Sequence, residues 1–304
     1  MDLDFTEDEI RRYSRHILLR EVGGTGQAKL KAARVLLVGA GGLGSPLMLY
    51  LAAAGIGTIG IVDDDVVELS NLQRQIAHTV GSLGMPKVSS AAGAAHAINP
   101  AVTVAAHQMR LTAANALELI ERYDIVCDGT DNFDTRFLVA DACVLARRTL
   151  VSGAVLRFDG QLSVFKPHEG GPCYRCLYPE PPPPGLVPSC SEAGVLGAVT
   201  GVIGTLQATE VLKEIMGIGD SLSGRLLVWD ALATRFRMVK LPRDPDCALC
   251  GPQATIRDLS AHAGAGATAS HGSAGQGMDR GPAQAPDHGP GQTPDRSPGQ
   301  ACAI

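Results

Sequence analysis

Arg34-Val35-Leu36-Leu37-Val38-Gly39-Ala40-Gly41-Gly42-Leu43-Gly44 is the stretch whose reading decides the fold. Its apolar half reads as a buried parallel strand, and Pro46 to Ala54 beyond it is rich in helix formers. The glycines therefore join strand to helix. Gly39 permits a tight bend, Gly41 lets backbone approach a phosphate, and Gly44 allows helix and strand to pack closely. Amide groups at such a helix start face an anion. A second strand, Thr58 to Val62, ends at Asp63, about 20 residues past the turn, where a carboxylate can accept from ribose hydroxyls. Gly39, Gly41, Gly42, Gly44 and Asp63 together predict a nucleotide cradle.

Working outward, strand and helix alternate to residue 155. Ala101-Val102-Thr103-Val104, Asp124 to Asp128 and Thr149 to Val155 read as strands three to five, with helices near residues 87–98, 114–122 and 133–146. This grammar predicts an α/β fold: a doubly wound, Rossmann-like, mostly parallel sheet with ligands at the carboxyl ends of its strands. Gln161 to Phe165, Leu226 to Trp229 and Phe236 to Val239 extend it as antiparallel strands, and Glu192 to Met216 reads as a long helix. One folded domain is expected over residues 1–257, with an N-terminal helical segment. Residues 258–304 are low in large apolar residues and read as a disordered tail, and Pro179 to Pro188 reads as an exposed mobile loop.

With 304 residues, 45% of them hydrophobic, the chain can bury a substantial core. A net charge of -5 and the lack of a basic stripe argue against nucleic acid as a partner. Val35 to Val62 carries no charged residue and by length alone could span a bilayer, but its glycines and strand-helix-strand grammar favour a buried βαβ unit. No membrane association is expected. The acidic start, Met1-Asp2-Leu3-Asp4-Phe5, lacks the apolar core of a signal peptide, so the chain reads as cytoplasmic.

Cys173-Tyr174-Arg175-Cys176 and Cys247-Ala248-Leu249-Cys250 hold half of the eight cysteines. One CxxC alone could be a redox pair. Two of them in a reducing compartment favour four thiolates on a structural zinc ion with no open position. Cys127 and Cys143 fall inside a strand and a helix and read as core residues.

The string Ser70-Asn71-Leu72-Gln73-Arg74, then Lys87 and Asp131, adds cations and a carboxylate that simple dinucleotide binding does not need. Each has a plain structural reading. Asp131 could cap the helix beginning at Asn132, Arg74 could be a surface cation, Lys87 could be solvated, and Asp64 and Asp65 could form a turn beside Asp63.

Order and spacing nonetheless resemble the MoeB/ThiF group of adenylating enzymes, relatives of the ubiquitin-activating enzymes. The resemblance runs through Arg12-Tyr13-Ser14-Arg15, the glycine turn, Ser70 to Gln75, Pro86-Lys87, Asp131-Asn132, both CxxC pairs and Cys190. It implies ATP-dependent adenylation of the C-terminal glycine of a ubiquitin-like sulfur carrier of the MoaD or ThiS type. Arg74 and Lys87 would neutralise the phosphates, Asp131 would hold Mg2+, and Asn71 would make a polar contact in the nucleotide pocket. Arg15 resembles an arginine supplied across a homodimer. Cys190 matches a position that forms a thioester or persulfide in some relatives; its alternative is an unreactive thiol. A separate sulfur donor is implied, because no sulfur-delivering domain follows residue 259. Two other readings stay open: an NAD-dependent oxidoreductase sharing the glycines and Asp63, and a non-catalytic zinc-stapled scaffold that binds a partner's C-terminal tail.

Overall fold

A computed structural model describes residues 4–183, 186 and 193–263. Two helices open the chain, α1 (Glu7–Ile17) and α2 (Gly23–Ala32). Thr6 starts α1 with a reciprocal cap, its hydroxyl accepting from the Glu9 amide while the Glu9 carboxylate accepts from its own. The parallel half follows: β1 (Arg34–Val38), α3 (Gly44–Ala54), β2 (Thr58–Val62), α4 (Lys87–Ile98), β3 (Thr103–His107), α5 (Ala116–Glu121), β4 (Ile125–Asp128), α6 (Phe133–Leu145) and β5 (Thr149–Leu156). Then come β6 (Asp159–Phe165), the long helix α7 (Gly197–Met216), β7 (Arg225–Asp230) and β8 (Arg235–Lys240).

All eight strands form one sheet in the order β3-β2-β1-β4-β5-β6-β7-β8. Pairing is parallel from β3 to β5 and antiparallel from β5 to β8. The predicted fold class holds. Alternation along β1 shows why the sheet needs two covers: Val35 and Leu37 enter the core beneath α3, α4 and α7, while Leu36 and Val38 enter the one beneath α5 and α6. Strand order reverses between β1 and β4, and their carboxyl ends diverge there into a crevice.

Several boundaries shift by a residue or two, and two of the differences have a visible cause. The third strand begins at Thr103, not Ala101, because the Asn99 turn continues through Val102, whose amide donates to the Asn99 carbonyl. The long helix begins at Gly197, not Glu192. Val195 instead pairs with Arg157 in a bridge, and the Gly197 backbone lies against the Gln73 carbonyl. Packing also continues past residue 257, where Leu259 is buried in the α6 core. Cys190 and residues 264–304 lie outside the described residues, as do Pro184, Gly185, Val187 and Pro188 of the proline-rich loop. Among the described residues, no helix is long and apolar enough to cross a membrane.

The glycine turn is sterically closed. Gly39 has φ +97°, and a β carbon on Gly44 would stand 2.0 Å from the Gly39 carbonyl oxygen. Gly44→Ala is therefore expected to destabilise the fold by about 3 kcal/mol, since the obstacle is backbone and cannot swing aside. Urea unfolding measures it; an unchanged midpoint would show that the turn relaxes freely.

Candidate functional site

The crevice is an open cleft of about 680 Å³, within the range of ligand sites. Its floor is the turn Gly39 to Leu43, one wall is Asp63 to Asp65 with Arg74 and Lys87, and the other is Gly129 to Asn132 with Arg136. Gly41 faces open space: a β carbon there would meet only the Gln75 amide, at 3.7 Å. Among the described residues, the Gly41 and Gly42 amides make no hydrogen bond. Two donors at a helix start are thus left for an anion.

Asp63 is tied into this floor. One carboxylate oxygen accepts from the Ala40 amide at 2.8 Å and the other from the Asp65 amide at 2.9 Å. Burial pushes its carboxyl above the ordinary range, opposed by the Lys87 charge and these two hydrogen bonds. Lys87 is buried and its ammonium donates to Asp65 at 2.7 Å, while its amide donates to the Asp65 carbonyl. Asp65 is thus the partner that orients Lys87, a role beyond the turn residue expected from sequence. Arg74 reaches the cleft with its guanidinium on the Ser70 carbonyl at 3.1 Å.

On the other wall, Asn132 caps α6, its side chain accepting from the Thr135 amide at 2.9 Å. Asp131 is exposed at the cleft and is not the cap. Beneath it lies a buried ion pair that the sequence did not announce. Asp128 is fully buried and accepts from Thr130 through its amide at 3.0 Å and its hydroxyl at 2.6 Å, and from Ser152 at 3.0 Å. Arg136 approaches Asp128 at 3.6 Å and donates to the Thr130 carbonyl at 2.7 Å. Gln75 is buried in the cleft wall, and its carbonyl oxygen has no partner among the described residues.

The structure brings Gly39, Gly41, Gly42, Asp63, Arg74, Lys87, Asp131 and Asn132 to the cleft and, among the described residues, leaves Arg15, Gly44 and Ser70 to Gln73 off its lining. The Asn71 side-chain oxygen accepts from the Glu68 amide at 3.0 Å and closes its own turn. Ser70 and Gln73 are exposed, Leu72 is half-buried, and Gly44 is covered by Gly39. Arg15 is exposed on α1, outside the lining.

The two CxxC pairs converge elsewhere, beyond α6. Sulfur separations are 3.8 Å for Cys173–Cys176 and 3.5 Å for both Cys173–Cys247 and Cys176–Cys250. All four sulfurs lie within 4.8 Å of one another. A tetrahedron with metal–sulfur bonds of about 2.3 Å has edges of about 3.8 Å, so the four could hold a zinc ion. The hydrogen bond from Cys173 pushes the Cys176 thiol down to about 5, against its burial.

A model of the ThiF family matches residues 13–249. The chain is 56% identical over 255 residues to the adenylyltransferase and sulfurtransferase MOCS3 of Bos taurus, across 84% of this chain and 56% of that one. It is 51% identical over 259 residues to a sulfur carrier protein adenylyltransferase of Thermus thermophilus, across 84% of this chain and 96% of that one. In fold it is similar to E. coli MccB, crystallised with ATP: TM-score 0.70 and 22% identity over 79% of this chain and 74% of that one. The chain spans little more than half the length of the mammalian relatives it matches.

His78 beneath the floor donates to the Ala40 carbonyl at 3.0 Å and accepts from the Ser90 hydroxyl at 2.9 Å. Burial holds its pKa below the ordinary imidazole value; the Ala40 carbonyl opposes this and the Lys87 charge adds to it. The unfolded chain takes up a proton near pH 6.5 that the folded protein resists. This contribution is complete above that pH and is lost as pH falls toward the folded value. Melting temperature is expected to drop less between about pH 7.5 and 5 in His78→Gln than in wild type; equal drops would count against a neutral His78.

Proposed function

This chain belongs to the ThiF family, and from that premise we propose that it is an ATP-dependent adenylyltransferase. Its substrate in this reading is the C-terminal glycine of a small ubiquitin-like sulfur carrier. The observation that carries the reading is the meeting of Arg74, Lys87 and Asp131 with the open Gly41 and Gly42 amides in one cleft. A hydride-transfer site needs the glycines and Asp63, but has no use for two cations placed at the phosphates.

The chemistry is an in-line substitution. A carboxylate oxygen of the carrier bonds to the α-phosphorus of ATP as the bond to the bridging β oxygen breaks, leaving an acyl-adenylate and pyrophosphate. Anion meets anion, so positive charge must be in place beforehand. Lys87, held on Asp65, and Arg74 supply it, and the glycine amides hold phosphate oxygens. Asp131 would hold magnesium, which supplies further neutralisation of the phosphates. Arg15 faces outward beside the exposed Leu18 and Leu19, a placement that suits delivery into a partner subunit's cleft in a homodimer. Cys190 is the candidate for covalent capture of the carrier, and a separate sulfur donor would complete a thiocarboxylate. Cys173, Cys176, Cys247 and Cys250 would hold zinc in a structural role. Reduced thiols fit a cytoplasmic setting.

ATP–pyrophosphate exchange tests the reaction. Carriers ending in Gly-Gly are expected to support exchange and the same carriers without that end are not. ATP binding without exchange on any carrier would shift the substrate to another carboxylate. For the metal, elemental analysis is expected to find about one zinc per chain and a loss of most of it in Cys250→Ser; metal-free, fully stable wild-type protein would refute the site.

A further inference from the structure

The second residue of the glycine turn, Ala40, is buried, and its peptide groups are held from opposite sides. Its amide donates to Asp63 at 2.8 Å. Its carbonyl accepts from His78 Nε2 at 3.0 Å. A carbonyl only accepts, so Nε2 carries the hydrogen and Nδ1 is bare, and the Ser90 hydroxyl donates to Nδ1 at 2.9 Å. A single neutral tautomer satisfies both contacts.

Ala40 C=O and Gly41 N–H share one peptide plane, and in a trans peptide they point in opposite directions. Drawing the carbonyl down toward His78 therefore turns the Gly41 amide up into the cleft. That amide has no partner among the described residues, and its residue has open space on the cleft side. His78 is also a junction: it lies on the segment that carries Arg74, and Ser90 stands on α4 one turn after Lys87. One imidazole thus fixes the glycine turn relative to both phosphate-facing cations.

We propose that His78 is a positioning residue for the nucleotide's phosphates, acting through the Ala40–Gly41 peptide. This role rests on the reading of the cleft as an ATP site. It differs from a general packing role in that it concerns the phosphates and leaves the nucleoside end of the cleft alone.

Calorimetric titration of the full-length protein with ATP and with adenosine separates these. His78→Ala is expected to weaken ATP about tenfold and adenosine less than about twofold. His78→Gln, whose side-chain amide can donate to the same carbonyl, is expected to recover ATP affinity to within about threefold of wild type. Ser90→Ala, which removes only the hydroxyl that sets the tautomer, is expected to weaken ATP by about threefold and decides the matter if His78→Ala does not fold. Equal loss of ATP and adenosine, or unchanged ATP affinity in the folded variants, would overturn the role of His78 alone. A wild-type protein that binds no ATP would sink the ATP reading itself, and this role with it.

Discussion

The contact between the Gly39 carbonyl and the Gly44 backbone is so close that no β carbon fits between them, and the rest of the site depends on that contact. It sets α3 directly over the end of β1, with its first amides turned toward the crevice where the strand order reverses. Gly129, at the end of β4, closes on Gly39 from the far side, 3.2 Å from where a β carbon would stand. Asp63 from the end of β2 and His78 from the following segment then clamp the Ala40 peptide. Three separate segments converge on six residues of turn.

The opposite wall is built on buried charge. Asp128 and Arg136 are both buried, and removal of either partner would leave the other charged and poorly solvated, at a cost of about 3–5 kcal/mol. Their hydrogen bonds to Thr130 hold the backbone leading to Asp131 at the rim. The cysteine cluster leans on the same helix. Tyr174 packs edge-on against Phe137 and Phe165, while Arg175 forms two 2.8 Å hydrogen bonds with buried Asp141 of α6. His262 reaches the same carboxylate at 2.8 Å. The residues between the two cysteines of the first pair thus join the candidate metal site to α6, whose start borders the cleft.

These arrangements bear on the competing readings. An oxidoreductase would account for the glycines and Asp63, but leaves Lys87 and its Asp65 partner without a purpose. A binding scaffold would account for the cysteine cluster, but not for two open amides facing a pair of cations. Adenylation would use the open amides and both cations, because its transition state gathers negative charge from nucleophile, phosphorus and leaving group at one place.

Much of this was legible in the chain. Apolar runs of strand length, a glycine turn and alternating helical stretches predict the doubly wound sheet, since periodicity and glycine's conformational freedom act over a few neighbouring residues. The paired CxxC spacing likewise announces a four-sulfur cluster. The clamp on Ala40, the Lys87–Asp65 pair and the buried Asp128–Arg136 pair carry no such local mark. Asp65 reads as one of three acidic turn residues, and His78 as an ordinary histidine, until folding brings Lys87 to one and Ala40 to the other. Asn71 adds a local feature to the string Ser70 to Arg74, its side-chain oxygen closing its own turn on the Glu68 amide. By itself the sequence determined the strand and helix pattern, the turn and the ligand types, because those follow from local sterics and side-chain chemistry. Only the tertiary structure decided which polar groups meet, because a hydrogen bond's partner is chosen by distance and direction in space, across separations of 23 and 38 residues along the chain.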